Sequence, residues 1–123
     1  MKKALLLLSF AMMTATYAVA QLNMELLSQV QYSDTGLNDI WGWADPETGI
    51  EYAIVGLQLG VSIVSLEDPE NAVEVARIPG QFSTWRDMKT WGNFAYITTD
   101  QGGTTEGVTV IDMSQLPEAA PYY

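Results

Sequence analysis

The 123-residue chain has no cysteine, no histidine, and only five basic residues against fifteen acidic ones. Each shortage removes a class of chemistry. Without cysteine there is no disulfide to staple the fold and no thiolate nucleophile or metal ligand. Without histidine, Ser-His-Asp and Cys-His nucleophile systems are excluded, as are the usual zinc sites, and acid–base work would fall to carboxylates or tyrosines. Both absences weigh against an ordinary hydrolase. The formal net charge of −10 repels a phosphate backbone, so nucleic acid is not an expected partner.

The first twenty residues read as a secretory signal peptide. Lys2 and Lys3 form a positive start, Ala4 to Phe10 opens an apolar run, and Ala18-Val-Ala20 is a small-residue cleavage site ahead of Gln21. Read instead as a membrane anchor, the run is interrupted by Ser9, Thr14 and Thr16 and is already short for a span of about 20 apolar residues. Cleavage between Ala20 and Gln21 would deliver the chain to the secreted or cell-surface compartment, with no membrane span in the mature part. Residues 21–123 then suit one small domain held together by core packing alone. The chain's four Trp, six Tyr and three Phe, all but Phe10 and Tyr17 within residues 21–123, supply that core and argue against disorder.

After a leader over 21–36, short apolar strands alternate with turns. Tyr52 to Leu57 follows the turn Asp45-Pro-Glu-Thr-Gly49, and Val61 to Leu66 follows Gln58-Leu-Gly60. Val73 to Ile78, a strand near Trp85 to Trp91, Phe94 to Thr98, and Val108 to Met113 complete the set, with the tight turn Gly92-Asn93 and the Gly-rich loop Asp100 to Gly107 between them. Strands of four to seven residues with turn signals this frequent predict an all-β chain. Met24 to Val30 is ambiguous, and no other segment after the signal carries a helical period.

The chain also repeats itself. Asp39-Ile-Trp-Gly-Trp43 matches Asp87-Met-Lys-Thr-Trp91 at an offset of 48. Tyr52-Ala-Ile-Val55 matches Ala95-Tyr-Ile-Thr98 at an offset of 43, and Gly60-Val-Ser-Ile-Val-Ser-Leu66 matches Gly107-Val-Thr-Val-Ile-Asp-Met113 at 47. Four strands in about 45 residues is the period of a β-propeller blade. The expected architecture is therefore two four-stranded blade repeats, over 37–80 and 81–123, the second incomplete. A β-sandwich would also supply many short strands, but gives no reason for its second half to repeat the first. Propellers close with about four to eight blades, so the arithmetic predicts that these residues begin a longer protein, with ring assembly of short chains as the alternative.

The segments NDIWGWADPETG, STWRDMKTW and GVTVID, taken together over Leu37 to Pro117, resemble the LVIVD-repeat proteins of the choice-of-anchor B family. That resemblance implies an exported bacterial β-propeller, longer than this chain and anchored at the cell surface by a variable C-terminal segment. It implies no activity and no catalytic residues.

Five residues stand out as channel-facing ligand candidates. Asp39, Trp41 and Trp43 share a strand face by period two, as do Asp87, Lys89 and Trp91. Innermost propeller strands border the central channel, where an Asp with aromatic neighbours would bind a sugar, a peptide or a cation. The competing reading gives each Asp to a backbone N–H and packs the tryptophans between blades, and recurrence in both units favours it. Arg86, one of three basic residues after the signal, would offer a forked donor to an anion or pair internally with a carboxylate. Asp45-Pro-Glu-Thr-Gly49 and Asp68-Pro-Glu-Asn71 bring hard oxygen atoms together as Ca²⁺ would require, although neither has EF-hand spacing and Asp-Pro is ordinary turn chemistry. No catalytic residue and no other cofactor or metal site emerges. The expectation is a non-enzymatic binding scaffold for an extracellular protein or glycan. The alternative is the first part of a secreted propeller hydrolase or lyase whose catalytic residues lie beyond Tyr123.

Overall fold

The computed structural model describes residues 24–33, 35–100 and 107–123. The expected signal peptide, its cleavage point at Ala20 and Gln21, and most of the Gly-rich loop lie outside the described residues. Seven strands form two antiparallel sheets, and the only helical element among these residues is a single 3₁₀ turn over Pro69–Asn71. Sheet A has the order β1 (Leu37–Ala44), β2 (Glu51–Leu57), β3 (Gly60–Ser65), β4 (Val73–Pro79). Sheet B has the order β5 (Arg86–Trp91), β6 (Phe94–Thr99), β7 (Thr109–Asp112). The described residues are all-β, and each sheet is an up-and-down antiparallel meander. Met24 to Val30 has no regular structure.

Turn chemistry explains where the strands reverse. Gly92 has φ +56°, the left-handed region that a two-residue primed hairpin turn demands at its first position. Gly60 has φ +141°, and a Cβ there would collide with the Ile78 carbonyl oxygen of β4. Glycine at this position therefore lets β3 and β4 approach closely enough to pair.

Both sheets have one strand register. Trp43 pairs with Tyr52 and Trp91 with Phe94; Trp41 pairs with Ile54 and Lys89 with Tyr96. On the next ladder Ala53 pairs with Val64 and Ala95 with Ile111, while Tyr52 pairs with Ser65 and Phe94 with Asp112. The turn contacts repeat too. Leu66 N–H donates to Glu51 O at 2.9 Å, and Met113 N–H donates to Asn93 O at 2.8 Å. Beyond β7, Val110 and Tyr123 exchange backbone hydrogen bonds, and Ile111 bridges Tyr122, on the side where β4 lies in sheet A. These pairings correct one of the offsets read from the sequence. The equivalent of Tyr52 is Phe94, at 42, rather than Ala95, at 43. Since strand side chains alternate faces, the one-residue difference exchanges the two faces of β6.

The two faces of sheet A are covered differently. Its front carries Trp43, Tyr52, Ile54, Val61, Ile63 and Ile78, which form one buried cluster with Met88, Ala95, Ile97 and Ile111 of sheet B and with Met113 just after β7. Its back carries Val55, Leu57 and Val64, covered by Val30 and Tyr32 of the leader. The leader is fastened there by polar contacts. Tyr32 Oη and Ser62 Oγ lie 2.8 Å apart, Ser28 Oγ donates to Pro69 O at 2.8 Å, and the Arg77 guanidinium sits 5.3 Å from the Tyr32 ring centroid. With both sides covered, β2 and β3 bury side chains of both parities, which is why they read as continuous apolar runs.

Candidate functional site

The edge strands β1 and β5 lie side by side, so the repeated Asp-led segments of the two sheets meet along one rim. Asp39 and Asp87 each open this rim with the same local contact. Oδ1 of each accepts the N–H of the following residue, Ile40 and Met88, both at 2.9 Å. Asp87 goes further, accepting from Lys89 Nζ at 2.8 Å, with both side chains exposed to solvent. That hydrogen bond, the ammonium charge and the Met88 N–H hold the Asp87 carboxyl below the usual carboxylate range against a small opposing effect of desolvation.

Trp41 and Trp43 share a strand face but have different surroundings. Trp43 is buried between the sheets, where Nε1 donates to Gly92 O at 2.9 Å and its ring lies 5.7 Å from that of Tyr52. Trp41 is 38% exposed at the rim. Its Nε1 donates to Thr90 Oγ1 at 3.1 Å, and Lys89 Nζ stands 4.1 Å from its ring centroid, a cation–π contact. Asp39, Trp41, Asp87, Lys89 and Thr90 thus converge on one exposed polar-aromatic surface.

Arg86 and Trp43 are not on that surface. Arg86 is buried, with Nε donating to Leu57 O at 2.7 Å and Nη2 donating to Gln81 O. Its planar fork ties sheet B to the end of β2 and to the loop after β4. Lys89 is the rim residue whose weight the sequence underplays. It occupies the repeat position of Trp41, and that exchange of an aromatic for a cation between otherwise matching segments is the signal that marks it.

The two acidic turns use their Asp carboxylates internally. Asp45 Oδ2 accepts from Thr48 Oγ1 at 2.6 Å and its Oδ1 accepts from Glu47 N–H at 2.9 Å, and these bonds hold its carboxyl below the usual range. Asp68 Oδ1 caps the 3₁₀ turn by accepting from Glu70 N–H at 3.1 Å. Among the described residues, no three Asp, Glu, His or Cys side chains gather as a cation-binding set, and no helix is long and apolar enough to cross a membrane. Comparison with family models, curated proteins and solved structures finds no match.

Proposed function

We propose that this chain supplies two blades of an exported β-propeller of the LVIVD-repeat type, and that the β1–β5 rim is its ligand-binding surface. It works as a non-enzymatic scaffold for an extracellular glycan or protein. The observation that carries this reading is the shared register of the two sheets with β1 and β5 adjacent. In a propeller that arrangement puts the first strand of each blade at the central channel. The rim has the chemistry of a sugar- or peptide-contacting surface: an exposed indole for apolar contact, carboxylates as acceptors and an ammonium as donor.

The test is a glycan and peptide array probed with the exported protein, followed by Trp41→Ala and Lys89→Ala variants. Trp41 and Lys89 are exposed, so their loss should leave the fold standing while weakening any array hit by about tenfold or more, the usual cost of a central aromatic or charged contact. A hit that both variants retain at full strength would place the ligand elsewhere.

A further inference from the structure

The two sheets stack head to tail, so that Met88, Ala95, Ile97 and Ile111 of sheet B cover the front of sheet A. The front of sheet B, which repeats that face, carries Asp87, Lys89 and Trp91 along β5. Trp85 stands one residue before β5 and continues its alternation. Arg86 and Met88 are buried, whereas Trp85, Asp87, Lys89 and Trp91 are exposed. The counterpart of Trp85 by chain position is Leu37, two residues before Asp39, with a register irregularity of β1 between Leu37 and Ile40. Leu37 is 60% exposed although sheet B covers the front of sheet A, and Trp85 is 69% exposed. This end of the rim is therefore open to solvent in the covered sheet as well. A leucine serves the repeat there, so strand packing does not demand the indole of Trp85.

Buried polar groups hold the backbone under Trp85. Ser83 is 0% exposed; its N–H donates to Gln58 O at 2.9 Å and its Oγ donates to Trp85 O at 2.7 Å. Asn38 Nδ2 donates to Thr84 O at 3.0 Å and ties the same loop to β1. On the other side of Trp85, the buried Arg86 donates to Leu57 O and Gln81 O. A guanidinium and a hydroxyl are costly to take out of water. Here both fix a loop whose exposed residue is an aromatic ring. A ring on a fixed backbone has little freedom left to lose on binding, which favours it as a contact.

We infer that Trp85 is the second aromatic contact of the β1–β5 rim, and that the rim takes a neutral linear glycan long enough to reach both Trp41 and Trp85. Trp41 lies at the level of Lys89 and Thr90, which it contacts. Four residues of extended chain separate Trp85 from Lys89, about 13 Å at a rise of about 3.3 Å per residue, so a single sugar cannot touch both indoles. Between them stand the exposed carboxylates of Asp39 and Asp87. A pyranose chain presents apolar C–H faces and hydroxyl edges, and an order of indole, carboxylates, indole meets each in turn. Residues 80–85 carry no charge, which suits a neutral polymer better than a charged peptide. Geometry also disfavours a peptide added as a strand. Cα atoms of β1 and β5 lie within 8 Å of each other, whereas an inserted strand needs two strand spacings, about 9–10 Å. This inference deepens the rim reading and rests on it.

The test is titration calorimetry of the exported protein with ladders of neutral glucose, mannose, xylose and N-acetylglucosamine oligomers, from the monosaccharide upward. Affinity should rise with chain length and level off once both indoles are spanned. Trp85→Ala should weaken the longest binding oligomers by about tenfold, the loss expected of an aromatic contact, and leave the shortest binding oligomer unchanged. Trp85→Leu, which matches the residue type of Leu37, should flatten the length dependence in the same way with an unaltered urea midpoint. Affinity independent of length, equal losses for short and long oligomers, or no binding of any ladder overturns the inference. Array hits confined to peptides overturn it too, and leave the rim as a protein-binding surface. Full affinity in both Trp41→Ala and Lys89→Ala removes the rim reading. Loss of affinity in those two, with the length dependence intact in both Trp85 variants, removes this inference alone.

Discussion

Trp43 and Trp91 offer a controlled comparison, because they are the same residue at the same register position in two sheets. Trp43 lies in the inter-sheet core and donates Nε1–H to Gly92 O, while Trp91 projects from the uncovered face of sheet B. Truncating a buried tryptophan to alanine costs about 3–5 kcal/mol through lost burial and the cavity left behind. Truncating an exposed one away from special features changes stability by about 0.5 kcal/mol or less. Trp43→Ala should therefore fall below Trp91→Ala by about 3 kcal/mol, a large part of the 5–15 kcal/mol that holds a domain of this size. With a urea m-value of about 1–2 kcal/mol/M, that gap separates the two unfolding midpoints by roughly 1.5–3 M. Far-UV circular dichroism is the appropriate probe, since it reports the sheets without relying on the indoles being removed. A Trp43→Phe variant, which keeps most of the ring volume, should lie between wild type and Trp43→Ala. Equal losses at the two positions would refute head-to-tail stacking, because they would require the front of sheet B to be as buried as the front of sheet A.

Other perturbations isolate other parts of the fold. Gly60→Ala forces a Cβ against the Ile78 carbonyl at φ +141° and should cost about 1–3 kcal/mol, read as a lower urea midpoint and faster amide exchange in β4; unchanged exchange in β4 would show that the close approach is not required. Asp87 has a folded pKa below its unfolded value, so its contribution to stability is present above about pH 4 and is lost as pH falls through the lower, folded pKa. Carboxyl NMR should place its titration below the ordinary range and show it rising towards that range in Lys89→Ala, with no movement counting against the Lys89 contact. The Asp45 and Asp68 carboxylates are occupied by their own turns, so the melting temperature should be the same in excess Ca²⁺ and in chelator; a clear rise with Ca²⁺ would reveal linked binding.

Much of this molecule is legible along the chain because it depends on local alternation and turn chemistry. The apolar runs at 52–57 and 61–66, the Gly92-Asn93 turn and the recurrence of Asp39 and Trp43 as Asp87 and Trp91 all follow from neighbouring residues. Every strand expected from that pattern is present within two residues of its expected bounds. Local matching failed in the second strand of the repeat. The shared Ala-Tyr-Ile character of the segments favours Tyr52 over Ala95, whereas the two-residue Trp91-to-Phe94 hairpin makes Phe94 the partner of Trp91 and shifts the equivalence by one. With a side-chain period of two, that shift decides which half of β6 enters the core.

Burial at the candidate site could not be read in the same way. Composition excluded histidine and cysteine chemistry outright, and period two placed Trp41 and Trp43 on a common face, because both follow from identity and spacing alone. The stacking of one sheet on another then gave Trp43 to the core and left Trp41 at the rim with Lys89. It turned the Arg86 guanidinium towards the Leu57 and Gln81 carbonyls and left Trp91 in water. The residue types were written in the chain, but their exposure was settled by which face of each sheet met the other, and that contact joins segments about 45 residues apart.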